Sequence, residues 1–148
     1  MAGRAVVLLL SHRVAQGRRR MAQLTIITET GMFHSACRCT WGQTAGWWGF
    51  KPRTHRAPAG PGMVDTSDRS AFVNHLISFQ LDDTVLRKAI DKVAADYAAA
   101  TYVLGVKDCV SFSADVARQA GLSVPAVNLT PYGFIGVLAV WNSFTDWK

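Results

Sequence analysis

The sequence predicts an α+β fold in which an antiparallel sheet from the N-terminal half packs against helices from the C-terminal half. Two observations carry this. β-Branched and alternating segments crowd the stretch from Leu24 to Gln80, and three helix starts then follow, at Asp82-Asp83, Asp108 and Thr130. A length of 148 residues, 49% of them apolar, suits one domain with one core.

Taken in order, Leu24 to Thr28 (LTIIT) is short and β-branched and reads as a strand. Met32–Trp41 and Thr44–Phe50 flank Gly42-Gln43, a plausible two-residue hairpin turn. Lys51 to Arg69 holds Pro52, Pro58, Gly60, Pro61 and Gly62 and reads as a long loop, the kind that often carries function. Ala71 to Gln80 alternates as a third long strand. Asp82-Asp83 then open a helix, acids at its positive end, with Leu86, Ile90, Val93 and Tyr97 as its buried stripe to about Ala100. Asp108 is a good N-cap for a second helix, whose stripe is Cys109, Phe112, Val116 and Ala120 and whose C′ residue is Gly121. Thr130 caps a third helix with Pro131 in its first turn, running through Phe134, Val137, Leu138 and Trp141.

The net charge of +6 is unevenly placed. Five arginines lie in residues 1–20 with no acid among them, and the remaining 11 basic residues meet 10 acids, about +1. The body of the chain therefore offers no basic stripe for phosphates, and no nucleic acid is expected as its partner. Residues 1–20 read as an extension outside the fold, with Met21 as the natural start; a targeting peptide is the minority reading, since Ala5–Leu10 is a short apolar run. No segment reaches about 18 apolar residues, so no transmembrane span is expected. Three cysteines are an odd, sparse set, which points to reduced thiols and a cytoplasmic site of synthesis.

Cys109 is the residue best placed for chemistry. The first turn of a helix presents unpaired N–H groups and a positive dipole end, which should lower a thiol pKa and hold an oxyanion, although the Asp108 charge works against the thiolate. Against this stands the bland reading of a small buried apolar residue. His34, in a strand, could serve as a general base for that thiol. Alone it would be an ordinary half-exposed strand histidine. His75 is its one serious rival; His55 lies in the proline-rich loop and His12 in the extension. A metal site at His34, Cys37 and Cys39 is disfavoured, because on a strand His34 faces away from the two cysteines. No metal and no cofactor are expected. Trp47, Trp48 and Phe50 are either core or one wall of a substrate cleft.

These residues carry a resemblance. Phe33-His34-Ser35-Ala36, then Trp48-Gly49-Phe50-Lys51-Pro52, then Tyr102 ahead of Asp108-Cys109-Val110, then Gly121 to Pro125 and Thr130-Pro131, look like the circularly permuted branch of the NlpC/P60 superfamily of papain-like cysteine hydrolases. The likeness spans roughly Leu24 to Leu138. It implies a permuted papain-like fold over residues 21–148, with Cys109 as nucleophile, His34 as general base, and Tyr102, Trp48 and Phe50 around the substrate. The family's histidine often follows a glycine, where this chain has Phe33, and its third polar residue has no evident counterpart here. The implied chemistry is hydrolysis of an amide bond in a peptide, isopeptide or peptidoglycan. An enzyme of this kind fits a bacterial toxin or effector, exported without a conventional signal peptide and countered by an inhibitor or immunity protein.

Other readings stay open. A lipid thioesterase or acyltransferase on the same fold predicts a wide apolar cleft lined by Trp47, Trp48 and the last helix. A non-catalytic binding module predicts an ordinary Cys109 thiol and a His34 that points away. Nucleic-acid binding through the arginines predicts affinity that disappears with residues 1–20.

Overall fold

A computed structural model describes residues 19–31 and 33–148. The extension through residue 18, His12 within it, and Met32 lie outside the described residues. The described residues fold as a mixed α+β structure with a seven-stranded antiparallel sheet and three helices. Its strands are Met21–Glu29 (β1), Ser35–Trp41 (β2), Thr44–Pro52 (β3), Ala59–Asp65 (β4), Val73–Asp82 (β5), Thr101–Val103 (β6) and Asp146–Trp147 (β7), in the order β6-β4-β3-β2-β1-β5-β7. Asp83–Tyr97 (α1), Cys109–Gln119 (α2) and Pro131–Trp141 (α3) are the helices.

β1, rich in β-branched residues, is an interior strand that pairs on both sides, Ile26 opposite Cys37 on β2 and Ile77 on β5. Alternation gives it one face of Leu24 and Ile26. These join Cys37, Cys39, Ile77 and Phe79 in a core closed by Leu86 and Ile90 of α1, Phe112 and Val116 of α2, and Phe134 and Leu138 of α3. Cys37 and Cys39 are thus core thiols, both fully buried. Gly42-Gln43 does form the hairpin turn; Gly42 takes φ 58° and Gln43 stays negative, the II′ pattern that suits strand twist.

The helix boundaries follow the caps. The Asp82 side chain accepts from the Val85 N–H, and the Thr130 hydroxyl accepts from the Gly133 N–H at 3.0 Å. Gly121 at φ 90° and the Leu122 N–H bonded to the Ala117 carbonyl end α2 in the Schellman manner.

Four expectations need correction. The strand expected from Met32 begins at Ser35, after the Gly31 turn. The strand expected from Ala71 begins at Val73, because Ser70–Phe72 form a 3₁₀ turn. The helix expected to reach Ala100 stops at Tyr97, since Thr101–Val103 leave to pair with β4. The long loop of Lys51–Arg69 contains β4, whose Pro61 and glycines argue against a strand in sequence. Gly62 is there for space: a Cβ would stand 2.3 Å from Phe50 Cζ and 2.9 Å from the Ala100 carbonyl oxygen. The Phe50 ring occupies that space and lies edge-on to Tyr97 at 4.8 Å. Among the described residues, no helix is long and apolar enough to cross a membrane.

Gly62→Ala should therefore cost about 2 kcal/mol of stability, the usual scale for overpacking a filled site. Urea unfolding would show it as a lower midpoint; Gly121→Ala, with open space but a positive φ, separates backbone strain from collision.

Candidate active site

Cys109 is the first residue of α2, fixed by the residue before it. The Asp108 carboxylate accepts from the Val110 and Ser111 N–H groups, both at 3.1 Å, while the Ser111 hydroxyl accepts from the Asp108 N–H, completing a capping box. The Cys109 thiol is fully buried. It lies against the segment that carries His34, donating weakly to the Phe33 carbonyl at 3.9 Å, and the backbone of Ser35, Val110 and Cys109 itself favours the thiolate. The same segment is anchored further along, where the Ser35 and Ser113 hydroxyls share a hydrogen bond of 2.8 Å.

The thiol does not titrate as its helix position alone predicts. Burial, assisted by the Asp108 charge, pushes it up to about 12 despite that backbone. Burial also pulls His34 below its ordinary 6.5, with the Glu29 charge opposing and the Arg69 charge adding to the drop. At neutral pH both groups are uncharged. Among the described residues no hydrogen bond joins the Cys109 thiol to the His34 imidazole. The His34 ring instead leans toward β3, where Nε2 lies 3.5 Å from the place a Gly49 Cβ would take. Gly49, the glycine of the Trp48-Gly49-Phe50 run, leaves this space open.

His34 forms part of a cleft of about 460 Å³. Phe33, Tyr102 and Leu104 give it apolar surface, and Lys51, Asp65 and Arg69 give it charge. Tyr102 connects the cleft to the cysteine: it is nearly buried, its hydroxyl is pushed up to about 12 by burial first, and the next influence is a thiolate charge at Cys109. Of the residues expected around a substrate, Tyr102 lines the cleft and Trp48 and Phe50 do not. Phe50 is fully buried between Tyr97 and Tyr102, and Trp48 meets Trp41 edge-on at 5.7 Å. The cleft also has no lining from Trp47 or α3. His75 packs against Tyr132 with the rings tilted and their centroids 4.8 Å apart, and does not line this cleft, whereas His55 does. No cluster of three metal-ligating side chains occurs among the described residues.

Two ion pairs escaped the sequence reading. The Arg69 guanidinium bonds both oxygens of Glu29, one at 3.0 Å, and the Glu29 side chain is 1% exposed. Lys51 meets Asp65 at 3.2 Å. The Glu29 N–H donates to the His34 carbonyl at 3.2 Å, so this acid is tied by backbone and by charge to the histidine. The one sequence signal was an acid closing an otherwise uncharged strand, at Glu29. No protein-family model, no curated protein and no solved structure matches this chain.

Two pH effects follow. His34, lowered on folding, lends stability above pH 6.5 that is lost as pH falls through its folded value. Cys37 and Cys109, raised from 9 to about 12, lend stability below pH 9 that is lost as pH climbs toward 12. Urea midpoints should therefore plateau between these limits and fall on both sides. In Glu29→Gln the loss of the opposing charge should lower the His34 value further, read from its imidazole proton shifts by NMR; an unchanged or higher value would contradict the assignment.

Proposed function

We propose that this protein is a cysteine hydrolase of the permuted NlpC/P60 type, cleaving an amide bond with Cys109 as nucleophile and His34 as general base. One observation carries the reading: the thiol stands in the first turn of a capped helix, against the backbone of the segment that bears a cleft-lining histidine. The first turn of a helix suits an anion, first a thiolate and then the oxyanion of a tetrahedral intermediate. The helix order and the Tyr102-to-Cys109 run fit a permuted papain-like fold.

In the proposed reaction a neutral His34 nitrogen takes the Sγ proton as Sγ bonds the substrate carbonyl carbon. The tetrahedral intermediate collapses, the C–N bond breaks, and the imidazolium returns the proton to the leaving amine. Water, deprotonated by His34, then cleaves the thioester to a carboxylic acid and regenerates the thiol. The resting state makes the first step costly. Burial raises the thiol and lowers the imidazole, so both shifts oppose the proton transfer. The reaction therefore requires that substrate binding bring the imidazole within reach of Sγ.

The zero exposure of Cys109 and the missing thiol–imidazole bond favour a second reading, a binding module that uses the cleft without covalent chemistry. A screen of fluorogenic peptide amides decides between them. The hydrolase should lose all turnover in Cys109→Ala and at least 100-fold in His34→Ala, with both variants keeping the wild-type circular dichroism spectrum at the assay temperature. Mass spectrometry should find a peptidyl chloromethyl ketone on Cys109. Turnover that survives Cys109→Ala, or a Cys109 inert to electrophiles while the cleft still binds peptides, would leave the binding module.

A further inference from the structure

The charges of the cleft do not cancel. Lys51 is closed by Asp65 at 3.2 Å, and Arg69 is closed by both oxygens of Glu29. Arg56 also lines the cleft, and among the described residues it has no ion pair and no side-chain hydrogen bond. Residues 1–18 and Met32 contain no acid that could close it. Arg56 sits in the tight turn where the Ala57 N–H bonds the Thr54 carbonyl at 3.1 Å, between Pro52 and Pro58. Its φ is 58°, the only positive value at a non-glycine position among the described residues. A turn that needs left-handed backbone ordinarily takes glycine or asparagine. Here it holds a long, exposed cation that has no partner among the described residues, in the lining of a pocket where the other two cations, Lys51 and Arg69, are already paired.

We infer that Arg56 is a recognition residue, and that the ligand of this cleft carries an anionic group, a carboxylate or a phosphate, which the guanidinium binds. A planar guanidinium offers paired N–H donors that match two oxygens of either group. The Lys51–Asp65 and Arg69–Glu29 pairs stiffen the wall without adding net charge, so the selectivity falls to Arg56. The inference rests on the cleft being the ligand site, which the hydrolase and the binding module share. In the hydrolase it makes the substrate an amide whose acyl or amine side bears an acid.

The test titrates the full chain, ¹⁵N-labelled, with N-acetylglycine, methyl phosphate and neutral N-acetylglycinamide, reading backbone amide shifts. At least one anion should shift the amides of Lys51, Ala57 and Leu104 saturably, and the neutral amide should not; the tighter anion tells carboxylate from phosphate. Arg56→Gly, which relieves the positive φ and should melt no lower than wild type, should weaken that binding about tenfold. The distant surface change Lys88→Gln should leave it unaltered. Equal binding of the amide, undiminished affinity in Arg56→Gly, an equal loss in Lys88→Gln, or no saturable binding of either anion would overturn the inference. Anion binding without turnover would end the hydrolase reading alone, and turnover without anion selectivity would end this inference alone.

Discussion

The site depends on one carboxylate. Asp108 is 2% exposed, and a buried acid is tolerable only when its oxygens are filled. It takes N–H groups from Val110 and Ser111 in α2, the Gly105 N–H at 2.8 Å from the turn after β6, and the Asn128 amide at 3.1 Å from the segment before α3. Three separate stretches of chain are thereby held to one point, each by a charge-assisted bond. Gly105 supplies the φ of 81° that lets the turn swing its N–H onto the acid. With these fixed, α2 can begin at one residue only, and Cys109 is that residue.

The sheet divides the work between its faces. Toward the helices, Leu24, Ile26, Cys37, Ile77 and Phe79 give a surface that excludes water. The other direction of the same strands places Ala36 beside Gly49 and His34, and next to them the acids and cations of the cleft. A nearly buried Glu29–Arg69 pair gains little stability by itself, because desolvation offsets the attraction. Its effect is on geometry. Glu29 holds the His34 carbonyl through its N–H and Arg69 through its carboxylate, joining the end of β1 to the stretch between β4 and β5.

Legibility followed the range of the cause. Local causes were readable: Asp82, Asp108 and Thr130 cap helices through N–H groups three residues on, or fewer, and Gly121 ends one by its own φ. The hairpin at Gly42 was readable for the same reason. β4 was not, because Gly60, Pro61 and Gly62 are strand-breaking in isolation, and the reasons why Gly62 must be small, Phe50 and the Ala100 carbonyl, lie far from it in the chain. β7 is two residues and exists through its pairing with Ile77 and Ser78. The ion pairs link positions 40 and 14 apart, and no window along the chain joins Glu29 to Arg69 or Lys51 to Asp65. In the site, the cysteine and the histidine were legible as types at positions. Their protonation was not, because that is set by what covers them.

The covering settles a contest of magnitudes at Cys109. A helix N-terminus stabilises a nearby negative charge by about 0.3–2 kcal/mol. A rise from 9 to about 12 corresponds to about 4 kcal/mol against the thiolate, so desolvation wins even though the surrounding backbone favours it. The same burial pushes His34 toward its neutral form, so that no charge on one group is available to support a charge on the other. A closed, neutral pair of this kind is stable because it is dry. Whatever lets water or a polar ligand reach Sγ removes the desolvation that opposes the thiolate and leaves the backbone acting against the Asp108 charge alone. Cys109 meets Phe33 only through the Phe33 carbonyl, and the Phe33 side chain is exposed, so the protonation state of the thiol is governed by its burial more than by the one nearby acid, Asp108.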